Sequence, residues 1–288
     1  MKRIISLTLV LMIIMAFAVG CTGTDNGADG GFDTSQTINV ISREDGSGTR
    51  GAFVEIVGIV DENDNDLTTV DAVVQNSTNG VMTTVAGDEY SIGYISLGSL
   101  NDTVKALKVE GVEATAENVK SGEYKIARPF NIAFQSGLSE LAKDFVNFIL
   151  SAQGQAIVEE NGFIAALDGE EYTPSGLTGT IVVAGSTSVT PVMEKLAEAY
   201  EGLNDGVSIE IQSTGSSAGM TAAMEGSADI GMASRDLKDS EKEVLEYEVI
   251  AIDGIAVIVN KENTIEDLTM DDIRSIYLGE ITTWDEVE

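Results

Sequence analysis

The sequence predicts an α/β protein with two bodies, and three observations predict it. From Thr37 onward, short β-branched runs alternate with stretches of helical periodicity, the pattern of a sheet layered with helices. The roughly 250 residues after that point suffice for two modest cores. Four strand ends, near residues 42, 185, 213 and 233, each hand a cluster of Ser, Thr, Gly or Arg to the start of a helix. One such turn is routine capping. Four built from donors point to a shared ligand beyond the carboxyl ends of the strands.

Residues 1–20 stand outside this pattern. Lys2 and Arg3 precede an apolar run over residues 4–19 that is too short and wrongly flanked to span a membrane, so it reads as an export signal. Gly20-Cys21 ends it, and Cys21 is the single cysteine of the chain. A lone cysteine there looks like a bacterial lipobox, although Ala18 stands where leucine is commoner. The expectation is an exported lipoprotein, held at the outer face of the cell membrane by lipid on Cys21; a plain secretory signal is the alternative. Residues 22–36 are rich in Gly, Asp and Thr and read as a flexible tether.

Residues 37–41 form the first predicted strand and residues 50–58 the helix after it. The turn between them, Ser-Arg-Glu-Asp-Gly-Ser-Gly-Thr-Arg, leaves N–H groups unpaired where the helix dipole adds positive potential. Anions bind at such places. Arg43 adds a charge and a planar fork of donors suited to a tetrahedral oxyanion, with Asp45 placed to hold that fork. An ordinary capped turn with a surface ion pair accounts for the same residues, and Gly-Ser-Gly-Thr alone does not decide between them.

A helix is predicted at 81–86, strands at 91–96 and 104–109, and a polar helix at 115–122. Asn76, Ser77 and Thr78 either lend donors to a cleft or cap a helix. Residues 126–134 read as an extended crossing, since Pro129 keeps Arg128 out of a helix. Leu138, Leu141, Phe145, Phe148 and Ile149 mark a helix over 136–150. A second, over 151–161, stops at Gly162. After a loop at 167–179, the strand, polar turn and helix sequence recurs from 180, from 208 and from 229, the last helix covering 240–245.

Charge narrows the function. Sixteen basic against 48 acidic residues give a formal net charge of −32, which argues against nucleic acid as a partner. An anion site here must make its own field from fixed N–H dipoles and a few arginines. The chain has no histidine, which removes Ser-His-Asp and Cys-His catalysis and the commonest transition-metal ligand. A hydrolase built on Ser47 or Ser216 would lack a base. No enzyme activity, cofactor or metal is expected.

Four clusters carry a family resemblance: Ala184-Gly-Ser-Thr-Ser, Thr214-Gly-Ser-Ser-Ala-Gly, Ala228-Asp-Ile-Gly-Met-Ala-Ser-Arg and Ser42-Arg-Glu-Asp-Gly-Ser-Gly-Thr-Arg. With Gly279-Glu-Ile-Thr-Thr-Trp and Ser91-Ile-Gly-Tyr-Ile-Ser in support, the chain from Thr37 resembles the phosphate-binding proteins that serve Pst-type ABC transporters. The order differs. In that family the Ala-Gly-Ser-Thr turn comes first and the Arg-x-Asp-Gly-Ser-Gly-Thr turn follows the Thr-Thr-Trp stretch. This chain therefore reads as a circular permutation, or as a tandem fragment or swapped halves.

The resemblance implies a two-lobed periplasmic-binding-protein fold of type II with hinge strands. One lobe would comprise 37–125 plus 261–288 and the other 126–260. Thr187, Ser188 and Ser216 from one lobe and Arg43, Ser47, Gly48 and Thr49 from the other would bind inorganic phosphate, with Asp45 orienting Arg43. Family members place an Asp after the Asp-x-Gly-Ala-Ser stretch to accept the ligand's proton. Here that register holds Ser234-Arg235-Asp236, so Ser234 lines the site, Arg235 supports it or forms a surface pair with Asp236, and Asp236 is the candidate acceptor. The implied role is a monomeric extracytoplasmic receptor that hands phosphate to an ABC permease. A phosphate sensor, a surface interaction protein, or a receptor for sulfate or molybdate are the alternatives.

Overall fold

The computed structural model describes residues 31–287. The predicted signal segment, Cys21 and most of the tether lie outside the described residues. The end of the tether departs from expectation. Phe32 packs on Tyr90 and Trp284, with ring centroids 5.2 and 6.0 Å away, and the Asp285 N–H donates to Thr34 O at 2.8 Å. One aromatic side chain gives this polar segment enough apolar surface to dock.

The strands are β1 (Asn39–Arg43), β2 (Val73–Gln75), β3 (Ser91–Ser96), β4 (Lys105–Ala106), β5 (Lys108–Val109) and β6 (Ala127–Phe134). They continue as β7 (Ile164–Ala165), β8 (Gly179–Gly185), β9 (Val207–Ser213), β10 (Ile230–Ala233), β11 (Glu246–Val259) and β12 (Asp267–Leu268). The main sheet runs β2-β1-β3-β11-β6-β10-β8-β9. β1 is parallel to β2 and β3, and β8 is parallel to β9 and β10. Between these two parallel groups lie β6 and β11, antiparallel to their neighbours.

β11 joins the groups within a single strand. Its residues from Glu246 to Gly254 pair with β6, and those from Ile255 to Val259 pair with β3. Two hydrophobic cores flank the change of partner. One gathers Ile38, Phe53, Tyr94, Val257, Ile276 and Trp284; the other gathers Phe130, Phe145, Ile181, Leu196, Tyr200 and Ile230. Each such fully buried side chain contributes roughly 1.5–3 kcal/mol. The first core draws on both ends of the described chain, and Thr37 forms an antiparallel bridge with Thr283.

The helices are α1 (Gly48–Val57), α2 (Thr78–Gly87), α3 (Ala116–Ser121), α4 (Glu140–Ile149) and α5 (Ala152–Glu160), followed by α6 (Thr190–Leu203), α7 (Ser216–Glu225), α8 (Asp239–Lys242) and α9 (Met270–Leu278). Several boundaries differ from expectation, and for the following the local reason is plain. α4 begins late because Ser139 caps it by accepting from the Ala142 N–H. α7 begins at Ser216, ahead of the helix expected around 220–226, after Gly215 turns the chain at φ +93°. The run at 104–109 splits, since Ala106 pairs with β11 and Val109 with β12. α8 is a single turn held by Glu241.

The connection at 167–179 is pinned rather than loose. Asp144 Oδ2 accepts from Tyr172 Oη at 2.6 Å, Tyr200 Oη at 2.7 Å and Ser175 Oγ at 2.9 Å. Tyr172 also packs its ring against Phe148 and Tyr200. The link between the end of α5 and β8 is thereby fixed to α4 and α6.

Candidate anion-binding site

Arg43 reaches its place through β1. The parallel strands β1 and β3 deliver their carboxyl ends to one edge of the sheet, and three aromatic residues pin that edge. Phe53 stacks on Tyr94 at 4.0 Å and meets Tyr277 edge-on at 4.9 Å. Tyr277 Oη donates to Ile41 O, Tyr94 Oη accepts from the Arg43 N–H at 3.2 Å, and Ser42 Oγ lies 2.9 Å from the same phenol. Burial pushes the Tyr94 phenol up to about 12, so it stays a neutral donor and acceptor at the base of the site.

The Arg43 side chain is 2% exposed. Nε and Nη2 donate to the two oxygens of Glu44 at 2.8 and 2.9 Å, and Nη2 also donates to Thr187 Oγ1 at 3.0 Å. The expectation that Asp45 orients Arg43 is corrected here. Asp45 is 99% exposed and pairs instead with Arg50, at 3.1 Å. The turn closes by a hydrogen bond from the Ser47 N–H to Glu44 O, which folds Glu44 back over the guanidinium and leaves Asp45 facing solvent. Arg50 locks the turn by donating to Arg43 O at 2.8 Å and to Asp66 at 2.6 Å. Asp45→Ala is expected to leave anion affinity within about twofold, since exposed pairs contribute little. Glu44→Ala frees the fork and is expected to shift affinity about tenfold or more. Parallel titrations of the two variants check this, and equal effects would restore Asp45 to the role.

The hydroxyls come together from both sides of the crossing. Thr49 Oγ1, in the first turn of α1, lies 2.8 Å from Ser188 Oγ, ahead of α6. Thr78 Oγ1, at the start of α2, lies 3.0 Å from Ser188 Oγ and 3.4 Å from Thr187 Oγ1, and accepts from Arg43 Nη1 at 3.4 Å. Ser216 Oγ accepts from the Ser234 N–H at 3.2 Å, and Ser186 Oγ donates to Ser234 Oγ at 2.8 Å. Main chains also meet across the gap, where the Ser217 N–H donates to Gly46 O at 3.1 Å.

Two glycines permit this approach. A Cβ on Gly48 would stand 2.4 Å from Ser216 Oγ and 2.8 Å from Ser234 Oγ. One on Gly185, whose φ is +144°, would stand 2.3 Å from Met232 O. Gly48 and Thr49 open α1, ahead of the bond from the Gly51 N–H to Ser47 O, so their N–H groups belong to the orphan donors of the helix start. Ser47 caps the helix by accepting from the Arg50 N–H at 3.3 Å. It flanks the hydroxyl cluster and has no side-chain bond to it among the described residues.

Ser234 is fully buried in the cluster, but the two residues after it turn away. Arg235 is not in a surface pair with Asp236. It donates Nη1 and Nη2 to the two oxygens of Glu241, each at 2.8 Å, with both side chains at most 10% exposed. Only its weak contact from Nη2 to Ser217 Oγ, 3.4 Å, approaches the site. Asp236 is exposed and lines an open cleft of about 760 Å³ beside the cluster, with Ser47, Arg50, Ser217 and Lys238. Its carboxylate is therefore no acceptor for a ligand held among the hydroxyls. β10 ends at Ala233, and without the strand's constraint the chain swings Asp236 outward.

The Arg235–Glu241 pair makes a pH prediction. Bonds from Arg235 and from the Lys238 N–H hold the Glu241 carboxyl below its ordinary value of 4.5 against the opposing effect of burial. Its contribution is present above the unfolded value and is lost as pH falls through the lower folded one. Glu241→Gln is expected to cost about 3 kcal/mol at pH 7, with the gap to the wild type narrowing once pH falls below the ordinary value of 4.5. Urea unfolding on both sides of that value measures it, and a pH-independent gap contradicts the pairing.

Two members of the cluster, Glu44 and Ser186, are not singled out by the sequence, and a third, Thr78, has two readings there. By pattern alone Glu44 is indistinguishable from Asp45, Ser186 is one hydroxyl of a polar turn, and Thr78 either lends a donor to a cleft or caps a helix. The signal for Thr78 was its place just after Ser77, which accepts from the Gly80 N–H and caps α2, because the next hydroxyl then lies at the helix mouth. Neither hydroxyl could be placed without the closure of the two cores.

Against this geometry, comparisons with known proteins give a consistent result. The PBP superfamily domain matches residues 26–153 and 171–288. The phosphate-binding protein PstS 2 of Streptococcus pneumoniae serotype 4 is 48% identical over 286 residues, 98% of each chain. The phosphate-binding protein PstS of Pseudomonas aeruginosa matches only 125 residues, 40% of this chain and 39% of that one, at 34% identity. The crystal structure of a phosphate-binding protein of a phosphate ABC transporter from Streptococcus pneumoniae superposes with a TM-score of 0.71 at 51% identity, covering 88% of this chain and all of the other. With the family model spanning most of its length and a relative aligned from end to end, the chain belongs to the PstS family of phosphate-binding proteins in the PBP superfamily.

Proposed function

We propose that this protein is an extracytoplasmic receptor that binds one inorganic phosphate between two lobes and delivers it to an ABC permease. The observation that carries the reading is the meeting of Arg43 with Thr187, and of Thr49 with Ser188, across the crossing strands. Arg43, the N–H groups of Gly48 and Thr49, and the hydroxyls of Thr49, Thr187, Ser188, Ser216 and Ser234 would donate to the four oxygens, with Ser47 holding the helix start. Hydroxyls suit this task because each can turn its O–H toward an anion or accept from a neighbour. Closure that sheds water from the ligand strengthens every such contact.

The lobes are proposed as 37–125 plus 261–288 and 126–260; the second core lies within 126–260, while the first also draws Ile255, Val257 and Val259 from the far end of β11. The rotated order is proposed as a circular permutation. It is supported by the match to the Pseudomonas protein over only about two fifths of each chain, by the bridge between Thr37 and Thr283, and by the pinned connection at 167–179. The anchor is proposed as lipid on Cys21, the active form as a monomer, and no catalysis is assigned.

Calorimetry with phosphate, sulfate and molybdate tests the reading. One phosphate per chain with a Kd in or below the micromolar range is expected, and no heat from phosphate overturns it. Heat from sulfate or molybdate alone moves the assignment to that anion.

A further inference from the structure

At the point where β6 and β11 pass from one core to the other, Arg128 and Asp253 are paired in register. They form an ion pair at 3.1 Å, with each side chain 1% exposed. Arg128 spends Nε and Nη2 on Asp253 Oδ2, at 3.3 and 3.1 Å. Asp253 Oδ1 accepts from Ser96 Oγ at 3.0 Å and from the Gly98 N–H at 3.4 Å. The Asp253 carboxylate is thus bonded on both oxygens. Arg128 Nη1 is buried and has no hydrogen-bond partner among the described residues. A buried guanidinium N–H left without an acceptor costs free energy.

Its surroundings say which acceptor fits. Ser96 ends β3, the parallel neighbour of β1, and β1 ends in Arg43. Tyr94, two residues before Ser96, accepts from the Arg43 N–H. The two guanidinium groups therefore stand at one edge of the sheet. Burial lowers Arg128 to about 10, and the charge of Arg43 adds to that effect while Asp253 opposes it. Two like charges at one buried edge, one with a donor to spare, suit an anion.

We propose that Arg128 is an anion-positioning residue of the interlobe site, fixed at the crossing by Asp253 so that its spare Nη1 donor and its charge act on the bound oxyanion. The inference rests on the phosphate reading above and adds to it a residue on the crossing strands themselves. It also links closure to binding, because the residue that reads the anion lies on the strand that joins the lobes.

Two variants separate this from a purely structural ion pair. Asp253→Asn removes the counter-charge and keeps the side-chain shape, so phosphate becomes the nearest anion to Arg128 and is expected to bind about tenfold tighter. Arg128→Met with Asp253→Leu replaces the pair by apolar side chains of similar volume, a change buried pairs often tolerate. That double variant is expected to unfold in urea like the wild type and to bind phosphate at least about tenfold more weakly. A structural pair would shift the unfolding midpoint and leave the phosphate Kd within about twofold in both variants, and that result overturns the inference. Should Asp253→Asn not fold, the double variant decides alone. Absence of phosphate binding by the wild-type chain overturns the proposed function and this inference together, whereas wild-type binding with unchanged variants overturns only the inference.

Discussion

Replacing Arg43 by methionine is expected to weaken phosphate binding by about a thousandfold, near 4 kcal/mol. Two losses combine. The anion loses a charge-assisted donor in a buried setting, where such bonds are stronger than neutral ones. Glu44 loses the partner that takes both its oxygens, which leaves an unpaired carboxylate beside an incoming anion. Arg43→Lys keeps the charge but not the fork, and is expected to recover about tenfold of the loss. Fold stability should change far less than affinity, because Arg43 lies at the edge of the sheet rather than within either core. Equilibrium dialysis with labelled phosphate measures the series. A loss below tenfold for the methionine variant would remove Arg43 from the centre of the site.

Gly48→Ala separates closure from folding. Gly48 is the first residue of α1, where alanine suits the backbone and helix propensity favours it by up to about 1 kcal/mol. Stability should hold or rise. Binding should not, because the added methyl would stand 2.4 Å from Ser216 Oγ and 2.8 Å from Ser234 Oγ. Both hydroxyls must rotate, which gives up the bonds that link Ser216, Ser234 and Ser186. The loss of two or three hydrogen bonds predicts a drop of about 30- to 100-fold in affinity. Thermal melts and titrations on one sample check both halves of the prediction. A melt that falls in step with affinity would show a folding defect instead of blocked closure.

Much of this architecture is written in local pattern. The alternation of β-branched runs with helical stretches, the glycine-rich turns at 46–48 and 215, and the extended crossing at 126–134 are all dictated by residues close in sequence. The features that escaped are those decided at a distance. Glu44 and Asp45 are adjacent carboxylates, and only the closure of the turn on Ser47 chooses between them. Asp236 follows a buried strand, and its direction depends on where β10 ends. Phe32 docks because Tyr90 and Trp284, far along the chain, form a surface for it. The Arg128–Asp253 pair joins positions 125 apart, and no spacing rule brings them together.

The central claim is that hydroxyls and amides from two separate cores, joined by Arg43, surround a single anion. Anomalous diffraction from crystals grown with arsenate, a heavier mimic of phosphate, tests it most directly. One arsenic peak per chain is expected, with the arsenate oxygens within hydrogen-bonding distance of Arg43, of the N–H groups of Gly48 and Thr49, and of Ser188 and Ser216 together. A peak in the open cleft beside Arg50 and Lys238, or bound to one core alone, would contradict it.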